Sequence, residues 1–396
     1  MEEAFFRTHT YLVEHTDAPV RRTLMDEIDW NDRMIGIKGT RGVGKSTFLL
    51  QYAKEHFGPH DRKCLYVNMN NFYFQSRGIA DFAGDFVNQG GRTLLIDQVF
   101  KQQDWSKELR KCYDLYPELK IVFTGSSVMR LKEENPELNG IVKSYNLRGF
   151  SFREYINLKT GNDFQPYELE DILRNHEHII KQILPKVSPM KYFNDYLHHG
   201  FYPFFLEQRN FTENLLKTMN MMTEVDILLI KQIELKYLPK IKRLFYELAV
   251  EGAKAPNVSQ LAESINTSRA TVMNYIKYLA DSRLINMIYP VGQDFPKKPS
   301  KVMMHNTNLM YAIYPIQIDK QEVMETFFVN SLWKDHKVHQ GGKDHYYTVD
   351  GNRKFRICDA QTPNKMRSNP DTIYARYNTE VGKDNKIPLW LLGFLY

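Results

Sequence analysis

Gly39-Thr40-Arg41-Gly42-Val43-Gly44-Lys45-Ser46-Thr47 is the stretch whose reading decides the fold. It fits the pattern G-x-x-x-x-G-K-[ST], with glycines at 39 and 44 followed by Lys45 and Ser46. The apolar run Met34-Ile35-Gly36-Ile37 before it reads as a strand, and the run Thr47 to Ala53 after it reads as a helix. The glycines let the backbone wrap a phosphate, and the N–H groups of the loop and of the helix N-terminus point at the anion. Residues Gly39, Thr40, Arg41, Gly42, Val43, Gly44, Lys45, Ser46 and Thr47 are therefore the candidate nucleotide cradle. In it Lys45 reaches the β- and γ-phosphates of ATP and the Ser46 hydroxyl ligates Mg²⁺.

Further strands follow at the spacing expected of an α/β domain with a parallel sheet. Cys64-Leu65-Tyr66-Val67-Asn68 is one, and Thr93-Leu94-Leu95-Ile96 is the next, ending in Asp97. An apolar strand closed by an acid, downstream of a phosphate loop, places Asp97 opposite Ser46 at the Mg²⁺. Many P-loop ATPases carry a glutamate at the next position, where it orients and deprotonates the attacking water. Here that position is Gln98. An amide can hydrogen-bond water but cannot take its proton, so ATP should bind and be hydrolysed slowly. Two explanations fit: a naturally slow switch, or a glutamate-to-glutamine replacement that traps the ATP state. The intact surroundings favour the second. A fourth strand, Lys120-Ile121-Val122-Phe123-Thr124-Gly125-Ser126-Ser127, ends in small hydroxyl residues level with the loop. Of these Thr124, Ser126 and Ser127 are candidates to sense the γ-phosphate, with Ser126 chosen. A fifth, Ile141 to Leu147, leads to Arg148. Ahead of the first strand, residues 1–33 read as mostly helical, with Arg21, Arg22, Leu24, Met25 and Ile28 on a short amphipathic helix.

The 396 residues suggest about two to four domains. Three cysteines without metal-ligand spacing, Cys64, Cys112 and Cys358, argue for a reduced compartment, and the N-terminus lacks a signal pattern, so a cytoplasmic protein is expected. The longest clearly apolar stretch, Pro388 to Tyr396, is far short of the ~20 residues that span a bilayer and reads as a buried final strand. The net charge of +6 permits nucleic-acid binding without requiring it.

The segments GTRGVGKST, LLIDQV, IVFTGSS and LRGFSFREY together resemble the bacterial and archaeal AAA-type ATPases related to the origin-recognition and STAND clades. The resemblance covers roughly residues 20–210. It implies a sheet flanked by helices, a helical lid, and assembly into a homo-oligomer through shared ATP sites. His199-Gly200-Phe201-Tyr202-Pro203 is similar to the clade's glycine-x-proline motif, which would put Pro203 in the lid facing the nucleotide. Arg148 and Arg153 are candidates for an arginine that completes a neighbour's site. The family usually has glutamate where this chain has Gln98.

Downstream, apolar positions in the stretch 238–304 mark a helix, then a helix-turn-helix, then two strands. This is a winged-helix pattern. Ser268, Arg269, Thr271, Asn274 and Lys277 on its second helix, with Lys297, Lys298 and Lys301 in the wing, could meet double-stranded DNA through residues 258–301. Residues 320–396 read as a small α/β domain with a helix from Glu322 to Trp333 and strands near Tyr346–Val349, Phe355–Cys358 and Leu389–Leu392. The resembling family holds a restriction-nuclease-like domain there. The nearest match to its acidic motif is Asp350, Asp359 and Gln361, and its lysine is missing. The expected order is thus a P-loop AAA-type core over 1–150, a helical lid over 151–237, a winged helix-turn-helix over 238–318 and a degenerate nuclease-like domain over 319–396. The competing readings are a STAND-like signalling switch and an ATP-regulated nuclease.

Overall fold

The computed structural model describes residues 3–129, 131, 133–207, 210–228, 231–342, 346–361 and 369–396. The chain divides into two units, Met1–Gly149 and Phe150–Tyr396.

The first unit is an α/β domain. Its strands are β1 (Met34–Gly39), β2 (Cys64–Asn68), β3 (Thr93–Asp97), β4 (Lys120–Ser126) and β5 (Lys143–Asn146). They form one sheet in the order β2-β3-β4-β1-β5, and every pairing is parallel. β1 to β4 are buried almost throughout, as strands with helices on both faces must be. Helices α1 (Glu3–His15), α2 (Leu24–Glu27), α3 (Lys45–His56), α4 (Ile79–Asn88) and α5 (Trp105–Leu115) accompany the sheet. The amphipathic helix expected around residues 21–28 shrinks to the single turn of α2, and Arg22 lies ahead of it, buried. The fifth strand is shorter than the apolar run suggested, because Ile141 and Val142 are still in the turn whose N–H groups bond Leu138.

The second unit opens with α6 (Phe152–Thr160), started by a capping box in which Ser151 and Glu154 bond each other's backbone N–H. Helices α7 (Leu169–Ile183), α8 (Met190–Asp195) and α9 (Phe211–Met221) follow. α8 and α9 each run on into a π-turn, Tyr196–Gly200 and Met222–Ile227. Then come α10 (Leu238–Glu251), α11 (Val258–Ser264), α12 (Arg269–Asp281), and the antiparallel pair β6 (Ile285–Ile288) and β7 (Lys301–Met304). Asn257 and Ser268 accept N–H bonds at the starts of α11 and α12, and Asn266 takes the left-handed backbone that turns the chain between them.

After α13 (Thr307–Ile313) and α14 (Lys320–Leu332), a five-stranded mixed sheet closes the chain. Its strands are β8 (Val338–Gln340), β9 (Tyr347–Val349), β10 (Arg353–Asp359), β11 (Thr372–Tyr377) and β12 (Lys386–Pro388), in the order β12-β11-β10-β9-β8. Two expectations are corrected here. Leu389–Phe394 is not a strand but a 3₁₀ stretch, with every residue buried; an apolar run bounded by no polar alternation carries no period to separate the two. The strand Thr372–Tyr377, paired in parallel on both sides, was missed because it mixes Thr, Tyr and Arg with apolar residues.

Candidate nucleotide and magnesium site

The loop between β1 and α3 has the backbone its glycines predict. Gly42 and Gly44 take φ of +84° and +92°, conformations that cost other residues steric strain. A Cβ on Gly39 would lie 2.4 Å from the Leu147 carbonyl oxygen, so the loop can approach the end of β5 only as glycine. Lys45 Nζ lies back along the loop and donates to the carbonyls of Gly39 at 2.8 Å and Thr40 at 2.7 Å. The Thr40 hydroxyl is buried with no partner among the described residues. A buried, unpartnered hydroxyl in a loop of this backbone fits a phosphate oxygen. Beneath the loop the Arg22 guanidinium, only 7% exposed, donates to Val43 O at 3.1 Å, Arg148 O at 2.6 Å and Gly149 O at 3.1 Å. It thereby ties the lead-in, the loop and the chain after β5 together.

Asp97, 1% exposed, is where the strands converge. Its Oδ2 accepts Ser46 Oγ at 2.7 Å, the Tyr66 hydroxyl at 2.8 Å and Asn68 Nδ2 at 3.1 Å. Its Oδ1 accepts the Thr124 hydroxyl. Register explains the meeting. Asn68 pairs with Asp97 across β2 and β3, and Ile96 pairs with Phe123, which brings Thr124 level with Asp97. Burial, then the Asp97 charge, push the Tyr66 phenol far above its ordinary pKa, so it stays protonated and donating. Ser46 and Asp97 are hard oxygen donors at the carboxyl edge of the sheet, and they suit Mg²⁺. Among the described residues no group of three or more His, Cys, Asp or Glu side chains could hold a metal. An ion here would need ligands beyond these side chains to complete its shell.

The other expected residues fall out unevenly. Gln98 sits beside Asp97 in the left-handed region at φ +56°, and its N–H donates to Thr124 Oγ1 at 2.9 Å. Thr124 thus bonds both Asp97 and the backbone of Gln98. The Ser126 hydroxyl instead accepts the Val128 N–H within its own turn. Tyr66 and Asn68 were not foreseen. The one signal was two polar residues two apart in an otherwise apolar strand.

In the second unit, Pro203 opens the 3₁₀ turn Pro203–Glu207. Arg153 is buried and donates to the carbonyls of Tyr396 and Phe164, so it cannot reach a neighbouring site. Arg148 is half-buried. Arg269, Asn274, Lys297 and Lys298 are exposed. Lys301 is not a wing cation: its side chain is 16% exposed, and its ammonium bonds Glu325 Oε2 at 2.7 Å and the Tyr347 hydroxyl at 3.1 Å. Lys277 pairs with Asp281 one turn along, and Ser268 is spent on the helix cap. Asp350 and Asp359 flank β10 at opposite ends, ~20 Å apart at ~3.3 Å per residue, so with Gln361 they form no common site. Among the described residues no helix is long and apolar enough to cross a membrane.

Residues 31–156 match the family described as AAA domain, and residues 190–321 match a domain of unknown function (DUF8612). With the parallel sheet and the loop geometry, the first match makes the N-terminal unit a P-loop domain of the AAA type. An uncharacterized protein of Methanocaldococcus jannaschii, MJ1637, is 26% identical over 294 residues, 70% of this chain and 61% of that protein. The chain thus spans about three fifths of the length of the curated relative it matches. Two solved structures are similar at low score. The Orc1 protein of Aeropyrum pernix in complex with DNA has a TM-score of 0.28 and 11% identity, with 79% of this chain and 92% of that one covered. A DNA polymerase III gamma subunit-related protein of Thermotoga maritima has a TM-score of 0.27 and 14% identity, with 70% and 98% covered.

Proposed function

We propose that the chain binds ATP with Mg²⁺ and hydrolyses it to ADP and phosphate, and that the nucleotide state governs duplex-DNA binding by the segment 258–298. The observation that carries the nucleotide reading is the 2.7 Å bond between Ser46 and Asp97 beside a glycine loop whose buried Thr40 hydroxyl has no partner among the described residues. Lys45 and the loop amides hold the phosphates. Bound Mg²⁺ would supply charge neutralisation to the phosphates. Ser46 and Asp97 would hold that ion, and the Gln98 amide would orient a water without taking its proton. Turnover is therefore slow in this form. The role of Pro203 rests on the family resemblance alone.

The DNA half of the reading is supported by Arg269, Asn274, Lys297 and Lys298, which lie exposed on α12 and on the loop between β6 and β7. A second reading, a nucleotide-controlled assembly switch of STAND type, is favoured by the ion pairs that occupy Lys277 and Lys301 and thin that basic surface.

Calorimetry with ATP and MgCl₂ tests the nucleotide half. Wild type should bind, and Lys45→Ala should lose at least about a hundredfold in affinity, as expected when a charge-assisted phosphate contact goes. Equal affinities would remove the assignment. For the DNA half, Arg269→Ala and the pair Lys297→Ala with Lys298→Ala should weaken duplex binding and flatten its dependence on log[salt]. No change in slope would leave the assembly switch as the reading.

A further inference from the structure

We propose that Tyr66 and Asn68, on the strand beside that of Asp97, are positioning residues of the Mg²⁺ site; this rests on the ATP-binding reading above. They stand two residues apart on β2, so their side chains share one face of the strand. Both bond the same oxygen of Asp97, Oδ2, that takes the Ser46 hydroxyl. Asn68 is itself fixed, since its Oδ1 accepts the Asn70 N–H at 2.8 Å. Tyr66 is anchored at its backbone, where its N–H donates to Nδ1 of the buried His9 at 3.0 Å. Thr124 holds the opposite oxygen.

The division of labour follows from chemistry. Ser46 is the residue whose hydroxyl oxygen turns to the ion, so it cannot be the only group that orients Asp97. Without Tyr66 and Asn68, Oδ2 would keep Ser46 alone among the described residues, and the carboxylate could rotate about Thr124. With them, the carboxylate is set before the ion arrives, so little of the binding energy is spent on ordering it. Neither residue lies on the phosphate loop, so both act on the ion through Asp97. Their loss should not change how the protein holds ATP without a metal.

ATP binding is measured by calorimetry in EDTA and across a MgCl₂ titration for wild type, Tyr66→Phe and Asn68→Ala. The phenylalanine keeps the buried ring, and urea unfolding of each variant reports its fold. The expected result for Tyr66→Phe is a rise of about tenfold or more in the Mg²⁺ concentration that gives half the gain in affinity, the size seen when a ligand's supporting bond is lost. Asn68→Ala should move the midpoint in the same direction, and affinity in EDTA should stay within about twofold of wild type. A Mg²⁺-responsive wild type whose midpoint neither variant moves overturns the inference alone. So does an equal loss with and without Mg²⁺, which would make Tyr66 merely structural. A wild type that binds ATP but gains nothing from Mg²⁺ overturns the ion site itself, and one that binds no ATP overturns the reading beneath it.

Discussion

Asp97 and Asp359 each end a strand that is paired in parallel, yet they live in different surroundings. Asp97 takes bonds from the loop helix, from β2 and from β4, so four side chains from three elements meet on one carboxylate. Among the described residues Asp359 takes only the N–H of Gln361, two residues on, and the amide of Asn378 just past the neighbouring strand. Asp350, its proposed companion, is used by the turn ahead of β10, where it accepts from the Lys337 N–H and pairs with His336 and Arg353. An acid at a strand end becomes a site only where register brings polar side chains from adjacent strands level with it. The N-terminal sheet does this, and the C-terminal sheet spends its acids on turns.

That contrast breaks or sharpens most visibly at position 98. If the gathered residues form a hydrolytic site that lacks only a base, Gln98→Glu should raise ATP turnover by about two or more powers of ten with ATP affinity little changed. A phosphate-release assay at saturating ATP, with any DNA partner present, decides it. Equal rates would mean that hydrolysis is limited elsewhere.

The next effect concerns what shapes the loop. Arg22→Met leaves the buried carbonyls of Val43 and Gly149 without their donor and should cost the first unit about 2 kcal/mol in urea unfolding, since an unpaired buried polar group costs ~1–3 kcal/mol. It should also weaken ATP binding through the loop. Loss of stability with full ATP affinity would show that the guanidinium serves the fold and not the loop's shape.

The smallest effect is a pH dependence behind β2. Burial lowers the His9 pKa from its ordinary 6.5 to about 4, and its Nε2 has no partner among the described residues. The unfolded chain therefore binds the extra proton first, so stability is full above about pH 6.5 and falls as pH drops toward 4. Between pH 7 and 5.5 this should remove about 1 kcal/mol of unfolding free energy. His9→Asn, which keeps an acceptor for the Tyr66 N–H, should flatten that slope when urea midpoints are compared at the two pH values. An unchanged slope would assign the acid sensitivity to other groups.

Much of the first unit was legible because its signals are local. Gly39, Gly44, Lys45 and Ser46 must stand at fixed spacing for a loop to wrap a phosphate, and the strand ending in Asp97 is a continuous apolar run. Thr124, Ser126 and Ser127 all read as candidate hydroxyls, and nothing local tells which of them faces Asp97; the strand register brings Thr124 to it. Arg153 and Lys301 read as surface cations because charge suggests exposure, yet Arg153 is buried and Lys301 half-buried, each with partners further along the chain. The stretch Leu389–Phe394 had no periodicity to mark it as 3₁₀ rather than strand.

The sequence by itself determined the phosphate loop, the acid that faces it, the α/β class of the first unit and the amide at position 98, because each depends on residues close together along the chain. Only the tertiary structure decided that Tyr66 and Asn68 join Ser46 and Thr124 around Asp97, that Arg22 holds the loop from below, and that Lys301 is an internal ion pair. Those depend on strand order and register, and pairing a strand one residue out turns every side chain to the other face.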